Sequence, residues 1–195
     1  MERLKQLTNW IELKLNCNRF RLEPVSSDAS FRRYYRVVLQ ESKTLVAMDA
    51  PPQHQDCYPF AKVAGLMATA GIKVPKIIFS DMQNGFLILT DLGKNTYLDI
   101  INQNNAEKLF NSAIDTLIKW QCATSVNKLP AYSKNLLQKE LDLFLDWYIG
   151  VHFSGTLSED SIISLRSTND LLIYNAIEQS QVFVHRDYMP RNIMA

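Results

Sequence analysis

Near the end of the chain, His185-Arg186-Asp187 and Asn192 stand in the pattern H-R-D-x-x-x-x-N, between apolar Val182-Phe183-Val184 and Ile193-Met194. That spacing belongs to a catalytic loop for phosphoryl transfer. An aspartate held at the start of such a loop can accept a hydrogen bond from a substrate hydroxyl and aim its oxygen at a terminal phosphate, which makes Asp187 the candidate base. An amide oxygen five residues later is a suitable hard ligand for magnesium, so Asn192 is the candidate metal residue. His185 reads as a residue that fixes the loop through hydrogen bonds rather than one that moves a proton, and Arg186 is grouped with it and Asp187 as the catalytic triplet. A plain polar turn would need none of these types, and four fixed residues recur by chance in on the order of one chain in a few thousand.

The elements that must position this loop follow from hydrophobic periodicity. Leu4, Leu7, Ile11 and Leu15 predict an amphipathic helix over the first 17 residues, ending near Asn16 to Asn18. Aromatic and β-branched residues predict strands at 20–25, 31–39 and 44–48, the first two joined by the turn Ser26 to Ser30 and the third closed by Pro51-Pro52. Phe60, Val63, Ala64, Met67 and Ala70 share a helical face that Gly71 terminates. Strands at 74–79 and 86–90 flank the hairpin signal Asn84-Gly85.

Beyond Asp91 the period changes. Helices are expected from Asn104 to Cys122, with Leu109, Phe110, Ala113, Ile114, Leu117 and Ile118 inward, and from Ser133 to Ile149, with Leu137, Leu141, Phe144, Leu145 and Tyr148 inward. A third runs from Asp160 to Glu178, followed by a short strand at 182–184 and another beginning at Ile193. The expected fold class is α+β: a strand-rich lobe over 1–90, a linker over 91–95 and a helical lobe over 96–195.

Composition excludes several function classes. With 195 residues, 47% hydrophobic and 21% charged, the chain is an ordinary globular one, and 21 basic against 20 acidic residues leave a formal charge of +1. No charge excess draws it to nucleic acid or to a membrane surface, so a small-molecule partner met by a local site is expected. Cys17, Cys57 and Cys122 are widely spaced without metal-ligand partners, which points to a reducing, cytoplasmic setting. There is no unbroken apolar run of signal-peptide or membrane-spanning kind.

Taken with the catalytic-loop pattern, Ser27-Asp28-Ala29-Ser30-Phe31-Arg32-Arg33-Tyr34-Tyr35-Arg36, Met48-Asp49-Ala50-Pro51-Pro52 and Phe86-Leu87-Ile88-Leu89-Thr90-Asp91-Leu92-Gly93 resemble the aminoglycoside phosphotransferase and choline kinase branch of the protein-kinase-like superfamily. Within that branch they are similar to bacterial kinases acting on the anomeric hydroxyl of N-acetylmuramate and N-acetylglucosamine. The resemblance implies a bilobal protein-kinase-like fold, ATP and Mg2+ as cofactors, and an amino sugar as acceptor. It further implies that Ser27, Asp28, Ala29 and Ser30 replace a glycine-rich loop over the phosphates, and that the backbone around Leu89 and Asp91 reads the adenine edge. Taken alone, the turn is also compatible with an ordinary hairpin.

The third strand departs from the protein-kinase pattern, for Val46-Ala47-Met48-Asp49 puts Asp49 where V-A-I-K carries the phosphate-gripping lysine. Arg32 or Arg33 is a candidate to replace that cation; on a strand Arg32 and Arg36 share one face and Arg33 takes the other. In relatives the helix carrying Asp142, Asp146 and Trp147 contributes to the acceptor side, although these residues also suit the faces of any amphipathic helix. The chain reaches Ala195 before the second metal-binding aspartate such kinases carry. On that ground it is expected to be a truncated product or a fragment, inactive by itself, and a noncatalytic binding module is the alternative reading.

Overall fold

The computed structural model describes residues 2–26, 31–40, 43–125 and 128–195. They form two compact units, Met1–Trp120 with His185–Ala195, and Gln121–Val184.

The first unit is built on a five-stranded antiparallel sheet in the order β1-β2-β3-β5-β4. Its strands are β1 (Arg21–Ser26), β2 (Arg33–Val38), β3 (Thr44–Asp49), β4 (Ile77–Asp81) and β5 (Phe86–Thr90). Because side chains alternate along a strand, the sheet has two apolar faces. Helix α1 (Glu2–Leu15) covers one, where Leu7, Trp10 and Ile11 pack with Val37, Ala47, Phe86 and Ile88. On the other face Met48, Ala50, Cys57, Leu87 and Leu89 form a second cluster joined by Phe60 of α2 (Tyr58–Thr69). α1 stops where Asn16 turns left-handed (φ 47°) and α2 where Gly71 does (φ 71°), as the sequence predicts.

Two strand limits moved for local reasons. β4 begins at Ile77, not Val74, because Pro75 has no N–H to give; Lys76 pairs with Thr90 instead, donating to its side-chain hydroxyl and accepting from its N–H. β2 begins at Arg33, and Phe31 stacks on His54 with ring centroids 4.6 Å apart. The β4–β5 hairpin closes at Gly85, whose carbonyl accepts the Ala50 N–H at 2.8 Å.

After β5 come a one-turn helix the periodicity does not reveal, α3 (Tyr97–Ile100), and α4 (Ala106–Cys122). α3 is made by a capping box in which Thr96 and Asp99 satisfy each other. On α4 only Ala113 and Trp120 are buried, and Phe110, Ile114 and Ile118 of the expected inward face are about half exposed.

In the second unit Ser133 caps α5 (Lys134–Leu143), which passes into a π-helical stretch, Phe144–His152. The wider winding there carries Phe144 and Tyr148 off the expected inward face; they are half exposed and stack on each other at 5.2 Å. Helix α6 (Glu159–Ile177) starts from Ser158. The strand expected at 182–184 does not form. Phe183 is buried, but its N–H donates to the Thr124 hydroxyl at 2.7 Å instead of to a neighbouring strand. The strand expected from Ile193 is reduced to a single bridge between Met194 and Thr96.

Candidate active site

The loop singled out by the sequence belongs to the first unit and is fastened at both ends. At its start the Tyr188 hydroxyl donates to the Ala113 carbonyl in α4 at 2.6 Å. Burial pushes the Tyr188 phenol above its ordinary range, with the neighbouring Tyr97 adding to the shift, so it stays a neutral donor. At its end Tyr97 N–H donates to Ile193 O at 2.8 Å and Ala195 N–H to Asn95 O at 3.0 Å, which stitches the loop exit to the segment after the sheet.

Between these anchors, Pro190–Asn192 makes one tight turn, with Asn192 N–H donating to Met189 O. The turn brings Asn192 back to Asp187, whose carbonyl accepts from Nδ2 at 2.9 Å. One amide thereby fixes the separation of the two candidate residues. Asn192 Oδ1 and the Asp187 carboxylate accept no hydrogen bond from the described residues, and both residues are exposed. Arg186 holds φ at 75°, a left-handed conformation that costs a residue with a Cβ about 1–3 kcal/mol, and the kink sits immediately before Asp187.

His185 packs edge-on against the Tyr188 ring at 5.2 Å, with Nδ1 buried and unpartnered. Burial lowers its pKa below the ordinary value, and the charge of Asp187 only partly opposes this. A neutral imidazole wedged against Tyr188 supports the loop by packing rather than by the hydrogen bonds the sequence suggested.

The nucleotide-side residues are placed as follows. Ser27, Asp28, Ala29 and Ser30 lie outside the described residues. Arg32 lies on the α2 face, its guanidinium 5.7 Å from the centre of the Phe60 ring and 3.2 Å from the Gln55 side-chain amide, the contact that turns the amide oxygen toward it. Arg33 is exposed on the other face, in register with Asp49. The Leu89 side chain is core, leaving only its main chain for recognition. Asp91 accepts from Arg36 Nε at 2.6 Å, from Arg36 Nη2 at 3.2 Å and from Gly93 N–H at 2.9 Å. Burial pushes its carboxyl up, but Arg36, the Gly93 N–H and the Thr44 hydroxyl together outweigh that and hold it below the ordinary range.

Asp49 lies at the end of β3. It shares the face of Ala47, under α1, and is 2% exposed; Arg3 of α1 donates Nε to it at 2.9 Å, bonds the Asn84 carbonyl and lies 4.2 Å over the Phe86 ring. The residue that faces α2 at this point of β3 is Met48. Asp49 is therefore on the reverse of the sheet from α2, paired with Arg3. Alternation along β3 carries the signal, but from sequence alone nothing says which face α1 covers.

The chain is 51% identical over 173 residues to the N-acetylmuramate/N-acetylglucosamine kinase of Pseudomonas aeruginosa, covering 89% of the chain and 51% of that protein. It is 44% identical over 203 residues to the kinase of the same name from Pseudomonas putida, covering 98% of the chain and 59% of the relative. The chain thus spans between half and three-fifths of the length of these relatives. Among solved structures, the streptomycin–ATP–APH(2")-IIa ternary complex matches with a TM-score of 0.57 at 11% identity, over 97% of the chain and 65% of that protein, which shows a kinase-like α+β fold. The model of the phosphotransferase enzyme family matches residues 21–195, from the first strand through the candidate loop, and with that coverage the chain belongs to this family.

Proposed function

We propose that this chain forms part of an ATP-dependent kinase that phosphorylates a hydroxyl of a small molecule, the anomeric hydroxyl of N-acetylmuramate or N-acetylglucosamine. The observation that carries the reading is the loop geometry: Asp187 has a carboxylate with no hydrogen bond from the described residues, its backbone is fixed by Asn192, and the turn is anchored through Tyr188. The names and identity of the two relatives support the choice of acceptor.

In the reaction, the Asp187 carboxylate accepts the proton of the sugar hydroxyl as its oxygen attacks the γ-phosphorus. A new phosphorus–oxygen bond forms, the bond from the γ-phosphorus to the β–γ bridging oxygen breaks, and ADP leaves with the electron pair. Asn192 Oδ1 is one hard oxygen of the kind magnesium takes, and it would hold the ion together with phosphate and water oxygens. When bound, the metal neutralises phosphate charge. Among the described residues no group of three or more acidic, histidine or cysteine side chains forms a metal cage of its own. Among the described residues no helix is long and apolar enough to cross a membrane; the widely spaced cysteines support a cytoplasmic setting.

Incubating the full-length protein with γ-labelled ATP, magnesium and either sugar tests this. Label should appear as an acid-labile sugar 1-phosphate, and the methyl glycosides, whose anomeric oxygen carries no proton, should remain unlabelled. Labelling of the methyl glycosides would refute the anomeric assignment, and no transfer to either free sugar would refute the reading itself.

A further inference from the structure

Two ion pairs in the first unit are largely withdrawn from water, Arg3–Asp49 and Arg36–Asp91. The second joins the middle of β2 to the chain leaving β5, with side chains 11% and 6% exposed. Removing such a pair from water costs several kcal/mol per ion, and apolar residues of similar size would hold two strands together as well. What the pair adds is direction, because a guanidinium presents its donors as a rigid planar fork.

Here the fork holds two different things. Nε and Nη2 grip the Asp91 carboxylate, and Nη2 also donates to the Gly93 carbonyl at 2.5 Å. Asp91 in turn accepts the Gly93 N–H. Both polar groups of the Gly93 main chain are thus tied down, at a residue whose φ of 114° favours glycine although a Cβ there would meet no atom within 4 Å. Between the two clamped residues lies Leu92, half-buried, and its N–H and C=O find no partner among the described residues. An unpartnered donor and acceptor on one residue, flanked by fixed neighbours, is an arrangement suited to the edge of a planar heterocycle.

We propose that Arg36 is a positioning residue for nucleotide recognition: through Asp91 and the Gly93 carbonyl it fixes the Leu92 main chain that reads the base. The inference rests on the kinase reading above and adds to it the residue that sets the geometry of the base site. Arg36 itself touches no nucleotide; it acts through the backbone it holds.

Arg36→Lys keeps the charge and removes the fork, and calorimetric titration of the full-length protein with magnesium ATP and with magnesium tripolyphosphate, which has phosphates but no base, separates the roles. The expected result is an ATP affinity about tenfold weaker, with tripolyphosphate affinity within about twofold of wild type. Loss of both affinities by the same factor would mean general loosening and would overturn the proposal, as would an unchanged ATP affinity. Asp91→Asn keeps the side-chain shape, removes the charge that Arg36 grips and gives the same comparison if Arg36→Lys does not fold; a selective loss of about threefold for ATP is expected, and an equal loss for both ligands refutes the clamp. Wild-type protein that bound neither ligand would overturn the kinase reading, and the clamp with it, whereas wild-type binding with nonselective losses would overturn the clamp alone.

Discussion

His185 illustrates how one residue's environment sets its role. Its ring is packed against Tyr188 with Nδ1 buried and unpartnered, so the neutral form is favoured and the pKa lies below the ordinary value. The unfolded chain then binds a proton more readily than the folded one. Stability is level above the unfolded histidine value near 6.5, falls as pH drops below it, and levels again below the depressed folded value. Melting temperatures of wild type and His185→Gln measured from pH 8 to pH 5 should show a decline in the wild type below about 6.5 that is shallower in the variant. Parallel curves would contradict this placement of His185. The identity of Asp187 and Asn192 as a pair was legible from their spacing, since a tight turn over five residues must return the chain on itself. The Nδ2 bond that fixes them, and the Tyr188 anchor 75 residues away in sequence on Ala113, were not, because long-range partners leave no mark on local spacing.

At the scale of elements, the hairpin between β4 and β5 carries the sharpest prediction. A Cβ on Gly85 would lie 1.9 Å from the Ala50 carbonyl oxygen, and the residue already holds φ at 71°. Gly85→Ala therefore meets both steric overlap with backbone and left-handed strain, and should cost about 2–4 kcal/mol, lowering the melting temperature by several degrees or preventing expression. A variant as stable as wild type would show that this turn relaxes freely. Asn84-Gly85 was readable because a turn of this kind demands such residues. β5 was readable too, since a fully buried strand shows as an unbroken apolar run, Phe86 to Leu89. The burial of Asp49 under α1 was not readable, for the opposite reason: a match to V-A-I-K fixes the order of residues but not the face, and the face depends on α1 packing from forty residues upstream. The π-helical stretch at Phe144–His152 leaves an ordinary helical pattern in sequence, so the exposure of Phe144 and Tyr148 could not be foreseen.

For the molecule as a whole, the change from period-2 to period-3.6 patterning after Thr90 revealed a sheet followed by helices, which is the observed succession. The sheet order β1-β2-β3-β5-β4 and the return of His185–Ala195 to the first unit are properties of long-range packing and were not written in any window. That return puts the sheet, the clamped segment after β5 and the candidate loop in one compact unit. In the proposed kinase this unit presents Asp187 to a substrate hydroxyl. Steady-state and ATP-binding measurements on full-length wild type and Asp187→Asn test it most directly. The expected result is a fall in kcat for sugar 1-phosphate formation of about 10²–10⁴-fold with ATP affinity changed by less than about threefold, since the lost carboxylate serves the acceptor and not the nucleotide. A variant that turned over within a factor of two of wild type would contradict it.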